Sequence, residues 1–212
     1  MDDGPPAPYV RAEEQQIEHI WDAPLGSMTV KQVCKECNGG WMGELEQQTR
    51  PLLAPMLRGQ VRTFSAAEQL VLATWGAKTI YAADLTRPDP VAPDENRKWV
   101  REHRVPPEGT TVLVARYGGR RYPLYTAGGT KTLAISAGGG PPQPWRTYLM
   151  SVSAGPVVLQ IFGHAMANVV EFRPTGWKRD FAHVLWPDPA PLTWPLPRAL
   201  GDDGLRRFVH ET

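Results

Sequence analysis

The chain reads as an α+β protein, helices first and an antiparallel sheet after them. Three observations predict this. Residues 65–83 carry apolar side chains at helical spacing behind a capping signature. From residue 110 onward, short β-prone runs alternate with Gly and Pro turn signals. Hydrophobic residues at 42% and charged residues at 21% allow a packed core and exclude wholesale disorder.

Taken in order, residues 1–16 are polar with Pro5, Pro6 and Pro8, and are expected to form a flexible arm. Ile17–Trp21 and Met28–Val33 are β-prone and flank a Pro24/Gly26 turn, which predicts a hairpin ending at Cys34. Trp41, Leu45 and Gln48/Thr49 recur at helical spacing, so a helix is expected over about 40–50. Pro51 would break its interior, so 51–57 reads as a separate short helix closed by Gly59. Ser65 and Glu68 form a capping box, and Leu70, Val71, Thr74, Trp75, Lys78 and Tyr81 follow on a helix over 66–83. That helix is apolar on nearly every face and is therefore expected to be buried.

Arg87–Pro93 is a breaker cluster, followed by an exposed charged helix over 94–103, capped by Asp94 and anchored by Trp99 and Val100. Strands are expected over 110–117, 122–126, 131–136, 147–153, 157–163 and 182–186, with Ala154-Gly155-Pro156 as a hairpin turn. Gly138–Pro142 reads as a flexible loop, Trp194-Pro195-Leu196-Pro197 as extended chain without pairing, and 203–210 as a short terminal helix. The organisation is an arm (1–16), a segment over 17–59 and an α+β body over 60–212.

Lys and Arg number 23 against 22 Asp and Glu, a net charge of +1, which excludes a strong global basic field. Nucleic-acid binding would need a local patch. Arg97, Lys98 and Arg101 on the charged helix, and Arg120 and Arg121 in a Gly-rich turn, are the candidates for phosphate contacts; a solvated face is the alternative. No apolar run approaches the roughly 20 residues of a membrane span, so no membrane partner is expected. Residues 1–6 lack a basic and then apolar pattern, and two cysteines cannot build a disulfide framework; a cytoplasmic protein is expected.

The stretch Val33-Cys34-Lys35-Glu36-Cys37-Asn38-Gly39-Gly40-Trp41 carries the most chemistry. Cys-x-x-Cys brings two thiols within reach of one soft metal ion, but a tetrahedral zinc site needs four ligands. The pair is therefore half of a zinc knuckle, a redox pair, or two ordinary buried thiols. A redox pair usually opens a helix in a βαβ context, and the flanking Asn-Gly-Gly and the lack of βαβ alternation argue against it.

Cys34-x-x-Cys37-Asn38-x-Gly40-Trp41-Met42, then Leu45-Glu46 and Arg50-Pro51-Leu52-Leu53, resembles the second half of an HNH-type endonuclease domain of an actinobacterial and phage subgroup. The resemblance implies an N-terminal ββα-metal finger remnant in front of the helical middle and the C-terminal sheet. It implies metal-assisted phosphodiester hydrolysis of DNA, with Mg2+ or another divalent cation at the reacting phosphate and a structural Zn2+ on the Cys pairs. In that reading Cys34 and Cys37 are the second Cys pair and Asn38 the final metal-holding position. Glu18 and His19 are the only Glu-His in the region, as metal ligand and general base. The subgroup's upstream Cys-x-x-Cys has no counterpart here, and the spacing from His19 to Cys34 is short for the family. The expectation is a finger that either lacks its first half or has lost catalysis.

Other readings stand beside these. His19 alternates with Ile17 and Trp21 as a strand residue would, Glu18 reads as a solvated strand residue, and Asn38 suits a helix cap. The alternative to an enzyme is a non-catalytic module that keeps the fold and binds DNA or a protein, as in phage–host interaction.

Overall fold

The computed structural model describes residues 8–13, 16–22, 33–87, 89–135, 143–164 and 173–210, with backbone placement alone for 8–13, 16–22, 131–135 and 143–146. The α+β expectation holds: one predominantly antiparallel sheet carries helices on its faces.

The sheet has seven strands: β1 (Pro8–Glu13), β2 (Gln16–Asp22), β4 (Thr110–Arg116), β5 (Leu124–Ile135), β6 (Gln143–Ala154), β7 (Val157–His164) and β8 (Ala182–Trp186). Their order is β2-β1-β5-β6-β7-β4-β8, antiparallel throughout except for the parallel pair β1–β5. Residues 8–13, expected within a polar arm, thus form a strand that takes β2 as its hairpin partner. The expected partner of β2, Met28–Val33, lies outside the described residues save for Val33, as does the 138–142 loop. The two strands expected over 122–126 and 131–136 are one, β5, because it pairs continuously with β6 through Gly128 and Gly129.

Alternation along the strands divides the core into two layers. Val112 and Val114 of β4, Tyr148 and Met150 of β6, and Leu159 and Ile161 of β7 face one layer. Leu113 and Ala115 of β4, Tyr125 and Ala127 of β5, and Val158 of β7 face the other.

The first layer is built on α3 (Ala66–Asp84). The Ser65 hydroxyl accepts from the Glu68 N–H and the Glu68 carboxylate accepts from the Ser65 N–H, the reciprocal cap expected from the sequence. Gly76 lets α3 approach the sheet: a Cβ there would stand 3.2 Å from Leu159 Cδ1. Against α3 pack α2 (Gly43–Leu57) and α4 (Asp94–His103). The break expected at Pro51 does not occur; α2 runs unbroken through Pro51 and Pro55. Pro55 has no N–H for the Pro51 carbonyl four residues back, and Arg62 Nη1 donates to that carbonyl instead, at 2.8 Å. α4 matches its expected span, but Asp94 is its first helical residue rather than its cap. Pro93 holds the cap position and makes no side-chain cap bond, while Asp94 pairs with Arg97.

Two short strands escaped the sequence reading. β3 (Arg62–Phe64) pairs antiparallel with β9 (Leu192–Trp194), so Trp194 is paired rather than loosely extended. The second layer is closed by α5 (Asp202–His210), whose Leu205, Phe208 and Val209 are buried on the sheet. No described helix is long and apolar enough to cross a membrane.

Candidate functional site at the Cys34–Cys37 turn

Cys34 ends an extended approach (φ −65°, ψ 153°) and caps a single helical turn, α1 (Lys35–Cys37). Its Sγ accepts the Cys37 N–H at 3.2 Å, and its carbonyl accepts the Asn38 N–H at 3.0 Å. Both cysteines are free; Cys34 is exposed and Cys37 half-buried. Hydrogen bonds from the Cys37 thiol and then the Cys37 N–H favour the charged sulfur, and Arg101 adds to them. Together they hold the Cys34 thiol below its ordinary pKa against the opposing effects of desolvation and Glu36. Asn38 is exposed directly after the pair, in helical backbone, and does not cap the next helix. The chain then kinks at Gly40 (φ −92°, ψ −116°) before α2 begins.

The kink turns Trp41 and Met42 towards α3 and α4, and a cavity of about 320 Å³ opens between these elements. Trp41, Met42, Tyr81, Leu85 and Val100 give it an apolar wall, and Cys34, Cys37, Lys78, Arg97 and Arg101 its polar part. Lys78 is tied to Glu46 at 2.8 Å, and Arg97 to Asp84 at 3.4 Å and to Asp94. The Arg104 guanidinium covers the Trp41 ring at 4.4 Å from its centroid. Arg104 holds a left-handed conformation (φ 58°) at the end of α4, where glycine is usual.

The thiol pair and two of the basic residues named from sequence, Arg97 and Arg101, are therefore neighbours. Lys98 lies exposed on the same helix. Arg120 and Arg121 belong to the other layer: their N–H groups both bond Asp202 Oδ1 at 3.0 Å, which folds the β4–β5 turn onto α5. The Tyr117 hydroxyl, then the Arg121 and Arg120 N–H groups, hold the Asp202 carboxyl below the usual range. The five residues do not make one patch.

Glu18 and His19 lie on β2, the edge strand among the described residues, with Arg11 of β1 opposite His19. Their strand pairs with β1, and the stretch before Val33 that the finger reading sets beside it lies outside the described residues. For a metal, Cys34 and Cys37 fit half of a soft tetrahedral set. Among the described residues, no group of three or more His, Cys, Asp or Glu side chains converges.

Comparison of the chain with protein-family models, with curated proteins and with solved structures finds no match.

One prediction follows from the hydrogen bonds at Cys34. Alkylation rate tracks the thiolate, so the iodoacetamide rate at Cys34 should reach half its maximum at a lower pH than in a free cysteine peptide. Cys37→Ala removes the thiol donor and should move that midpoint upward. Coincident profiles for peptide, parent and variant would refute the assigned cause, and flat kinetics would also count against the redox-pair reading.

Proposed function

We propose that residues 34–57 form the helix-side half of an HNH-type metal finger, in a protein that acts on DNA, or descends from proteins that do, by metal-assisted phosphodiester hydrolysis. The observation that supports this most is the Cys34–Asn38 turn. Two thiols share one turn at the start of a helix, and an exposed amide side chain follows at once. A divalent cation, when bound, would neutralise charge developing on the scissile phosphate. Asn38 would hold that cation through its side-chain oxygen, Glu18 would assist, and His19 would take the proton of the attacking water. Cys34 and Cys37 would supply half of a structural zinc site.

Plasmid nicking with Mg2+ tests this, run on the parent, Asn38→Ala and His19→Ala. The expected result is nicking by the parent that falls about 10²-fold or more in either variant, the range for losing a positioned acid–base or charge-stabilising group. Equal background cleavage in all three ends the catalytic version.

That Cys34 and Cys37 are the only cysteines of the sequence favours a second reading, a non-catalytic module that keeps the fold. It predicts no cleavage but saturable binding of DNA or of a protein. DNA binding would weaken as salt rises, because each phosphate contact releases counterions.

A further inference from the structure

The cavity beside the thiol pair has features that the metal-finger reading does not use. Its volume lies in the range of small-molecule sites. Three of its lining residues are cationic and none is a carboxylate. Lys78 and Arg97 already face acidic partners outside the lining. Arg101 has no carboxylate partner among the described residues, and it lines the cavity together with Cys34. Trp41 adds a separate observation: its indole N–H is buried and has no acceptor among the described residues. An unpaired buried donor is costly and rare in folded proteins, so it marks a place where an acceptor belongs.

We propose that this cavity binds a small organic anion with a flat apolar body, of the aromatic carboxylate class. The acidic group meets Arg101 at the mouth and offers an acceptor to the Trp41 N–H. The body lies against Leu85, Val100 and the Trp41 ring. Cys34 stands at the same mouth, so occupancy shields its sulfur. This site is independent of the nuclease reading; nicking and anion binding can each fail without the other.

The probe is 2-naphthoate, titrated into the full chain by calorimetry, with the neutral 2-naphthalenemethanol and inorganic phosphate beside it. The expected result is one saturable naphthoate site, with the alcohol about tenfold weaker for want of the charge-assisted bond. Arg101→Gln should bring naphthoate down to the level of the alcohol and leave the alcohol unchanged. Leu85→Trp should fill the space and abolish both, in a protein whose circular dichroism matches the parent. Naphthoate should also slow carbamidomethylation of Cys34. The assignment is overturned by equal affinities for acid and alcohol, by unchanged binding in Arg101→Gln, by displacement of naphthoate with equimolar phosphate, or by no saturable binding at all.

Discussion

Trp194→Ala is expected to lower the stability of the chain by about 3–5 kcal/mol, the range for emptying a large buried aromatic site. Trp194 is fully buried and packs in the cluster that holds Leu52 and Met56 of α2 and Phe64 of β3. Its indole N–H donates to the Met56 carbonyl at 3.1 Å, one of the last carbonyls of α2. Removing the ring opens a cavity and frees β9 from the C-terminal end of the helix that begins beside the thiol pair. Trp194→Phe separates the two effects. It retains most of the ring packing, loses the hydrogen bond, and should cost about 1–3 kcal/mol. Urea unfolding of the three proteins checks both values. A Trp194→Ala protein within about 1 kcal/mol of the parent would show that β9 does not hold α2 in place.

What the sequence did not reveal at Trp194 is its strand pairing. β3 and β9 are three residues each and lie far apart in the chain, so neither shows a local period. The Trp-Pro dipeptide argued for extended chain. The continuity of α2 was hidden for the same reason, since the donor that replaces the missing Pro55 N–H comes from Arg62, beyond the helix. By contrast, α3 was legible almost to the residue because both its cap and its period are local. The Cys34–Cys37 turn was legible only in part, since the helix expected from about residue 40 already starts at Lys35. That Arg97 and Arg101 approach it was not legible: only the packing of α4 across α3 brings them there. Nor did the sequence reveal that β2 joins the main sheet through β1, which pairs with the distant β5.

Asp84→Ala is expected to be as damaging as the loss of Trp194, by a different route. Asp84 is the last residue of α3, and its carboxylate is 1% exposed. It accepts the Val91 N–H at 3.0 and 3.1 Å and the Ala92 N–H at 3.0 Å, and faces Arg97 at 3.4 Å and Arg87 at 3.8 Å. One side chain thus ties the end of α3 to the loop that leads into α4. Alanine would strand two backbone donors and leave two guanidinium groups without their buried counter-charge, a loss of about 3–5 kcal/mol. For a chain of this size that lowers the melting midpoint by roughly 10 °C. Asp84→Asn keeps an acceptor for the loop and loses the charge, so it should fall between parent and alanine. The loss should also spread to the cavity, because Arg97 in its wall is oriented by Asp84. A double-mutant cycle with Arg97→Ala checks this. The coupling should be well above 0.5 kcal/mol, the level at which independent sites stop adding. Additive losses would mean that Asp84 supports only the loop, and that the position of α4 beside the thiol pair is set by its other contacts, Val100 in the core and the Asn96 amide on the Tyr148 hydroxyl.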